Sequence, residues 1–187
     1  MPTPSINDIL TASRDNSIIK RELSKFFSVK EEEIVGILDG YIISDKTVIY
    51  IDGGSRGNPG DAGAGVILDN NGKRSGFYRY LGVKTNNEAE YSALIIGITV
   101  ALENNVKNIK VFSDSELLCN QINGVYKVKN ENLKKYYIEA KSLIDKLNSF
   151  EIKHILREQN GLADKMANKA MDLKDNGEIE LTVAAGL

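Results

Sequence analysis

Apolar positions along this chain follow two periodicities, and the change falls near residue 46. In the first 45 residues Ile19, Leu23, Phe26 and Phe27, then Ile34, Ile37, Leu38 and Tyr41, recur at three- and four-residue steps, the spacing of a helix face. Ser5-Ile6-Asn7-Asp8 offers a cap for a helix through Ala12, Ser17 for one over residues 18–27, and residues 30–42 carry a third. From Lys46 the pattern turns to strands. Val48, Ile49, Tyr50 and Ile51 predict a short strand buried on both faces, stopped after Asp52 by Gly53, Gly54, Gly57 and Pro59-Gly60. Residues 62–68 and 74–81 flank Asp69-Asn70-Asn71-Gly72, where Asn-Gly supplies the positive φ angles of a tight hairpin. Three antiparallel strands therefore come first.

Helical spacing returns at Thr85-Asn86-Asn87, an Asx-type cap followed by Glu88 and Glu90 in what reads as a first turn. Ala93, Leu94, Gly97 and Ala101 share a side with Glu90, which turns that glutamate inward. Residues 109–113 form a strand ending at Asp114, and Ser115-Glu116 starts a short helix. Residues 130–148 carry an amphipathic helix through Leu133, Tyr136, Tyr137, Ala140, Leu143, Ile144 and Leu147. Residues 151–156 alternate as a strand, and a last helix over 162–171 holds Asp164 in its first turn. The tail from residue 173 has no evident partner unless it adds an edge strand. This divides the chain into a small helical unit (1–45), an α/β unit (46–172) and a tail (173–187).

Composition narrows the function classes. With 42% hydrophobic and 27% charged residues in 187, the chain is an ordinary globular protein. The most apolar stretch, residues 91–102, is too short to span a bilayer, so a cytoplasmic protein without a membrane partner is expected. A single cysteine, Cys119, excludes an internal disulfide and, with no Cys or His nearby, a zinc site; a buried inert thiol is the default. Net charge is −2, yet residues 120–170 hold ten basic against six acidic side chains and residues 1–45 five against eight. A polyanion would favour the C-terminal half.

Four carboxylates occupy related addresses. Asp52 and Asp114 end strands of one sheet, and Glu90 and Asp164 begin helices that follow strands, so the four can converge outside the strand ends. Without a cation they would repel; with no His or Cys among them, an oxygen-only set selects a hard ion such as magnesium or manganese. On spacing alone, scattered caps remain an equal reading.

Four segments, D-G-G-S-R-G-N-P-G (52–60), T-N-N-E-A-E-Y (85–91), S-D-S-E (113–116) and R-E-Q-N-G-L-A-D-K-M-A-N (157–168), resemble the signature segments of type 1 ribonuclease H, in that family's order. The resemblance spans about residues 47–171. It implies an α/β fold with a five-stranded mixed sheet, three antiparallel strands and then two parallel, flanked by helices; here a small N-terminal helical domain is added. It further implies metal-dependent endonucleolytic cleavage of the RNA strand of RNA·DNA hybrids, leaving 3′-hydroxyl and 5′-phosphate ends, with two Mg2+ ions per site or Mn2+ in their place. By the same resemblance Asp52 bridges both ions, Asp164 helps hold the one that activates water, and Glu90 and Asp114 hold the one at the leaving 3′ oxygen. Asn58, Thr85, Asn86 and Asn87 match residues that touch the hybrid's minor groove.

This sequence also departs from the family. The basic, tryptophan-rich handle of many bacterial members is replaced by the short connection at residues 124–129, as in the handle-less, archaeal-type variety, leaving Lys127 and Lys129, with Lys134 and Lys135, as the phosphate-binding surface. The sole histidine, His154, falls inside a strand and is assigned a structural role. Arg157 is assigned the position near the reacting phosphate. A monomer is expected. The competing readings are a related nuclease that also cleaves double-stranded RNA and a nucleic-acid-binding module without catalysis; retention of all four carboxylates favours an enzyme.

Overall fold

The structure, a computed structural model, describes residues 12, 13, 16–28, 30, 31, 34, 47–70 and 73–181. The chain divides into two compact units, residues 1–45 and 46–187. In the first, helix α1 (Ser17–Phe27) is capped by Asn16, not Ser17: the Asn16 carboxamide oxygen accepts from the Ile18 and Ile19 N–H groups at 2.9 and 3.2 Å. The helices expected before residue 12 and over 30–42 lie almost wholly outside the described residues, as does the Asn-Gly pair at 71–72.

The second unit contains β1 (Thr47–Gly57), β2 (Gly60–Asn70), β3 (Lys73–Lys84), α2 (Asn86–Glu103), β4 (Asn108–Ser113), α3 (Glu116–Ile122), α4 (Glu131–Ile144), β5 (Ser149–His154), a 3-10 turn (Arg157–Gln159), α5 (Gly161–Leu173) and β6 (Gly177–Leu181). Among the described residues the strands form one mixed sheet in the order β5-β4-β1-β2-β3-β6. β1, β2 and β3 are antiparallel, and β4 and β5 run parallel to β1. The sheet thus has six strands where five were expected. The extra one is β6, an edge strand on β3, held where Arg79 donates to the Gly177 carbonyl and the Tyr80 N–H to Asn176.

β1 also corrects the sequence reading. Its glycines do not stop it; the strand runs to Gly57 because β2 pairs with it residue for residue down to Gly57↔Gly60. What ends at residue 51 is the parallel ladder to β4, whose last pair is Ile51↔Ser113.

Each face of the sheet carries its own layer. On one side α2, α3 and α4 bury Ile49, Ile51, Val66, Leu94, Ile98, Val111, Leu118 and Leu133. On the other, α5 sets Ala163 and Met166 against Ile67. Both layers need close approach of helix to strand. A Cβ at Gly53 would stand 2.2 Å from the Ala89 carbonyl, and one at Gly65 would stand 2.1 Å from the Ala163 oxygen, so these glycines fix how near α2 and α5 come to β1 and β2.

Candidate active site

Where the β1–β4 ladder ends, two adjacent strands release their next residues side by side, and these are Asp52 and Asp114. Helix α2 supplies the third acid. Its N-terminus is fixed by a capping box in which the Thr85 hydroxyl accepts from the Glu88 N–H and the Glu88 carboxylate accepts from the Thr85 N–H. The cap is therefore Thr85 and not an Asx residue. Glu88 is spent on it, and Glu90, at the start of the second turn, meets the sheet at Gly53. Carboxylate oxygens of Asp52, Glu90 and Asp114 lie within 4.8 Å of one another. Asp164, on α5, lines the same concavity of about 280 Å³, together with Arg56, Asn86, Arg157 and Asn168.

Burial sets Asp52 and Glu90 apart from Asp164, the one of the four acids paired with a cation among the described residues. Asp52 and Glu90 are only 9% and 7% exposed. Burial, with the charges of Asp114 and Asp164 added, pushes the Asp52 carboxyl up to about 7. Glu90 is held well above the ordinary carboxylate range, first by burial and then by Asp52 and Asp114, against the relief of a hydrogen bond from the Gly53 backbone. Among the described residues, none offers a hydrogen-bond partner to the buried Glu90 Oε2. Asp164 instead accepts from Arg157 Nη2 at 3.0 Å and from Asn168 Nδ2 at 3.2 Å. This donor set fits a divalent cation: three converging carboxylates, an orphaned acceptor and carboxyl groups reluctant to ionise are what a hard ion relieves.

Asn160 falls inside the signature segment 157–168, where no role was assigned to it, yet it organises the cluster. It is 1% exposed, and its Nδ2 donates both to the Ile51 carbonyl at 2.8 Å and to Asp114 Oδ1 at 2.9 Å. It thereby ties the β5–α5 connection to the strand ends that carry Asp52 and Asp114. Nothing local in the sequence separates an asparagine that makes this long-range contact from one that starts a helix.

The remaining predicted residues fall into three places. Asn58, Thr85 and Asn87 line a second concavity with Asn130 and Asn132 from the start of α4, and Asn58 accepts from the Asn86 N–H at 3.1 Å. Asn130 and Asn132 were missed because they read as a helix cap, which Asn130 also is. Lys127 borders a third, more apolar cleft with Tyr126, Val128, Lys134, Tyr137 and Ile138, and Lys129 is exposed beside it. The strand expected over 151–156 ends at His154, so Arg157 does not follow it directly. Arg157 opens the 3-10 turn after β5, with its guanidinium in the carboxylate concavity. His154 is the last residue of β5, exposed and outside that concavity.

A mixed sheet whose parallel ladder opens onto a carboxylate cluster, backed by α2 and α5, defines an α/β unit of the ribonuclease H fold. Comparison with known proteins agrees. Residues 50–170 match the family described as Reverse transcriptase-like. The crystal structure of RNase H1 from the halophilic archaeon Halobacterium salinarum NRC-1 is 33% identical, with a TM-score of 0.66, over 68% of this chain and 98% of that one. LC11-RNase H1, solved in complex with an RNA/DNA hybrid, is 36% identical with a TM-score of 0.63, over 69% and 99%. The bifunctional protein Rv2228c of Mycobacterium tuberculosis is 38% identical over 130 residues, 68% of this chain and 36% of that protein. The chain accordingly spans about a third of the length of that relative. It belongs to the type 1 ribonuclease H family.

Proposed function

We propose that the unit beginning at Lys46 is a divalent-metal-dependent endonuclease that hydrolyses the RNA strand of RNA·DNA hybrids. The observation that carries this reading is the cluster of Asp52, Glu90 and Asp114, with its unpartnered Glu90 oxygen, in a chain of this family. The related LC11-RNase H1 holding an RNA/DNA hybrid supports the choice of substrate.

Asp52, Glu90, Asp114 and Asp164 would hold two magnesium ions, or manganese in their place. When bound, such ions make water easier to deprotonate and neutralise charge on attacking and leaving oxygens. The chain's own part is positioning and charge. Asn160 fixes the Asp114 carboxylate, so that its free oxygen is aimed without loss of rotamer entropy when a ligand arrives. Arg157, exposed and paired with Asp164 through one nitrogen, has donors left over for the phosphate that undergoes attack. Asn58, Thr85, Asn86 and Asn87 bind in the minor groove, where 2′-hydroxyls distinguish RNA from DNA, and Lys127 and Lys129 meet backbone phosphates.

No helix among the described residues is long and apolar enough to cross a membrane. We infer a cytoplasmic setting from the single cysteine, Cys119, which is buried and free and leaves the fold independent of any internal disulfide. The test is incubation with end-labelled hybrid, double-stranded RNA, single-stranded RNA and duplex DNA, each with magnesium, manganese or chelator. Metal-dependent scission of the RNA strand of the hybrid alone is expected. Scission that survives chelation, or of the DNA strand, overturns the reading.

A further inference from the structure

The carboxylate concavity contains a cation that the proposed reaction leaves unused. Arg56 stands four residues beyond Asp52 on β1, so at 3.3 Å per residue its Cα lies roughly 13 Å along the strand from the acid cluster. Strand alternation places it on the same face as Asp52 and Gly54, the face on which a Cβ at Gly54 would meet Met171 of α5. Its guanidinium lines the concavity and donates from Nη2 to Asp172 Oδ1 at 2.5 Å, with the two side chains 49% and 60% exposed. Asp172 sits in the last turn of α5, where the helix dipole disfavours a negative charge.

Two features mark this pair as a temporary hold on the guanidinium and not a strut. An ion pair so exposed contributes little to stability. The acid nearest in register, Asp61, which faces Arg56 across the β1–β2 ladder, is already engaged by Lys174 at 2.7 Å and by the Tyr80 hydroxyl. Arg56 is thus left with an exposed acid at the rim of a cavity whose floor is acidic. A polyanionic strand entering that cavity needs cations beside the acids, and a backbone phosphate offers a guanidinium a bidentate partner stronger than one exposed carboxylate oxygen.

We propose that Arg56 binds a backbone phosphate flanking the scissile one, and that Asp172 holds its guanidinium in place until the nucleic acid displaces it. This rests on the nuclease reading above and adds a substrate-binding residue to it. The experiment is steady-state cleavage of a labelled hybrid in magnesium at several salt concentrations, for wild type, Arg56→Ala, Arg56→Lys and Asp172→Asn.

Arg56→Ala should raise KM about five- to tenfold at low salt, with kcat within about twofold, as removal of one charge-assisted hydrogen bond to a ligand predicts. The slope of log KM against log salt should become shallower by about one, the signature of one fewer phosphate neutralised by the protein. Arg56→Lys should keep the wild-type slope. Asp172→Asn should leave KM at or below wild type, because it frees the guanidinium. An unchanged salt slope in Arg56→Ala overturns the proposal. So does an Asp172→Asn protein whose KM rises as far as that of Arg56→Ala, since the pair is then a strut positioning α5. A wild-type protein that cleaves no hybrid fails the nuclease reading itself, which is a different result from active wild type with indifferent Arg56 variants.

Discussion

Two kinds of carboxylate share one concavity here, and they are held in opposite ways. Asp52, Glu90 and Asp114 are brought together by the core, through the end of the β1–β4 ladder and the approach of α2 to Gly53, and among the described residues no cationic side chain forms an ion pair with them. Asp164 rides on α5 at the margin, half-buried, with Arg157 and Asn168 satisfying it. Within the first group Asp52 and Glu90 store electrostatic cost that an external cation relieves, whereas Asp164 carries its own counter-charge. Stability and activity should therefore be coupled with opposite sign at the cluster and hardly coupled at the margin.

The largest effect belongs to Asp52→Asn. Cleavage should fall by at least about a thousandfold, since metal-supplied charge stabilisation is worth several kcal/mol. The same change should stabilise the metal-free protein by roughly 1 to 3 kcal/mol at pH 8, because it removes a buried charge among like charges. The pH dependence follows from the direction of the shift. The Asp52 carboxyl is raised to about 7, above its unfolded value, so the folded state retains a proton that the unfolded chain releases. Wild type bears the full penalty above that pH and recovers as pH falls towards the unfolded carboxylate range near 4. Thermal melts in chelator should show the variant melting higher at pH 8 and the gap narrowing steadily down to pH 5; a gap independent of pH would mean Asp52 bears no such penalty.

Next in size is Gly65→Ala. Its methyl group would press on the Ala163 carbonyl and Met166, pushing α5 and Asp164 away from the cluster. A loss of about 2 to 3 kcal/mol in denaturant unfolding, the usual cost of overpacking, should accompany reduced cleavage. If stability falls and turnover per folded molecule does not, the position of Asp164 is not critical. Asn160→Ala comes third. It strips the donor from the Ile51 carbonyl and from Asp114, and should cost about 1 to 3 kcal/mol. Asp114 would then be free to turn, so metal affinity measured by calorimetry should weaken by about tenfold, in the range for an outer-shell partner. Unchanged affinity would make Asn160 a purely structural link.

The sequence was most legible where one residue type has one local use. The β2–β3 hairpin and the inward Glu90 fell where residue pattern placed them, whereas the strand expected over 151–156 lies two residues earlier. The convergence of four acids on one concavity was, on spacing alone, no better indicated than scattered caps until the family motifs were matched. Long-range pairing was less legible. β1 continues through three glycines because β2 supplies hydrogen-bonding partners that no window around Gly53 contains. β6 forms because β3 has a free edge, whereas the sequence GEIEL has too few apolar residues to announce a strand by itself. Asn160 and Asn130 resemble ordinary caps until the strand ends and helix starts beside them are known. The division of the carboxylates into three and one depends on Arg157 and Asn168, which lie at separations of seven and four residues from Asp164 and pair with it only once the 3-10 turn and α5 have formed.

The smallest effect on stability, and the sharpest test of the contrast, is Arg157→Ala. Its pair with Asp164 is 78% exposed on the arginine side, so the loss should be under about 1 kcal/mol at pH 7. Turnover should nonetheless drop more than about tenfold if the guanidinium meets the reacting phosphate, a typical cost for one such donor. Arg157 also acts across the cavity, its charge favouring the ionised forms of both Asp52 and Glu90 and so opposing the upward push of burial. Removing it should let both carboxyls rise further, so the inflection in the metal-free stability curve moves to higher pH. The measurement is a set of melts in chelator from pH 5 to 9 beside single-turnover cleavage. A curve that does not move, with turnover preserved, would place the guanidinium outside the field of the cluster and leave Asp164 as its only partner. A curve that moves while turnover is preserved would keep Arg157 as an electrostatic neighbour of the acids and remove it from the phosphate.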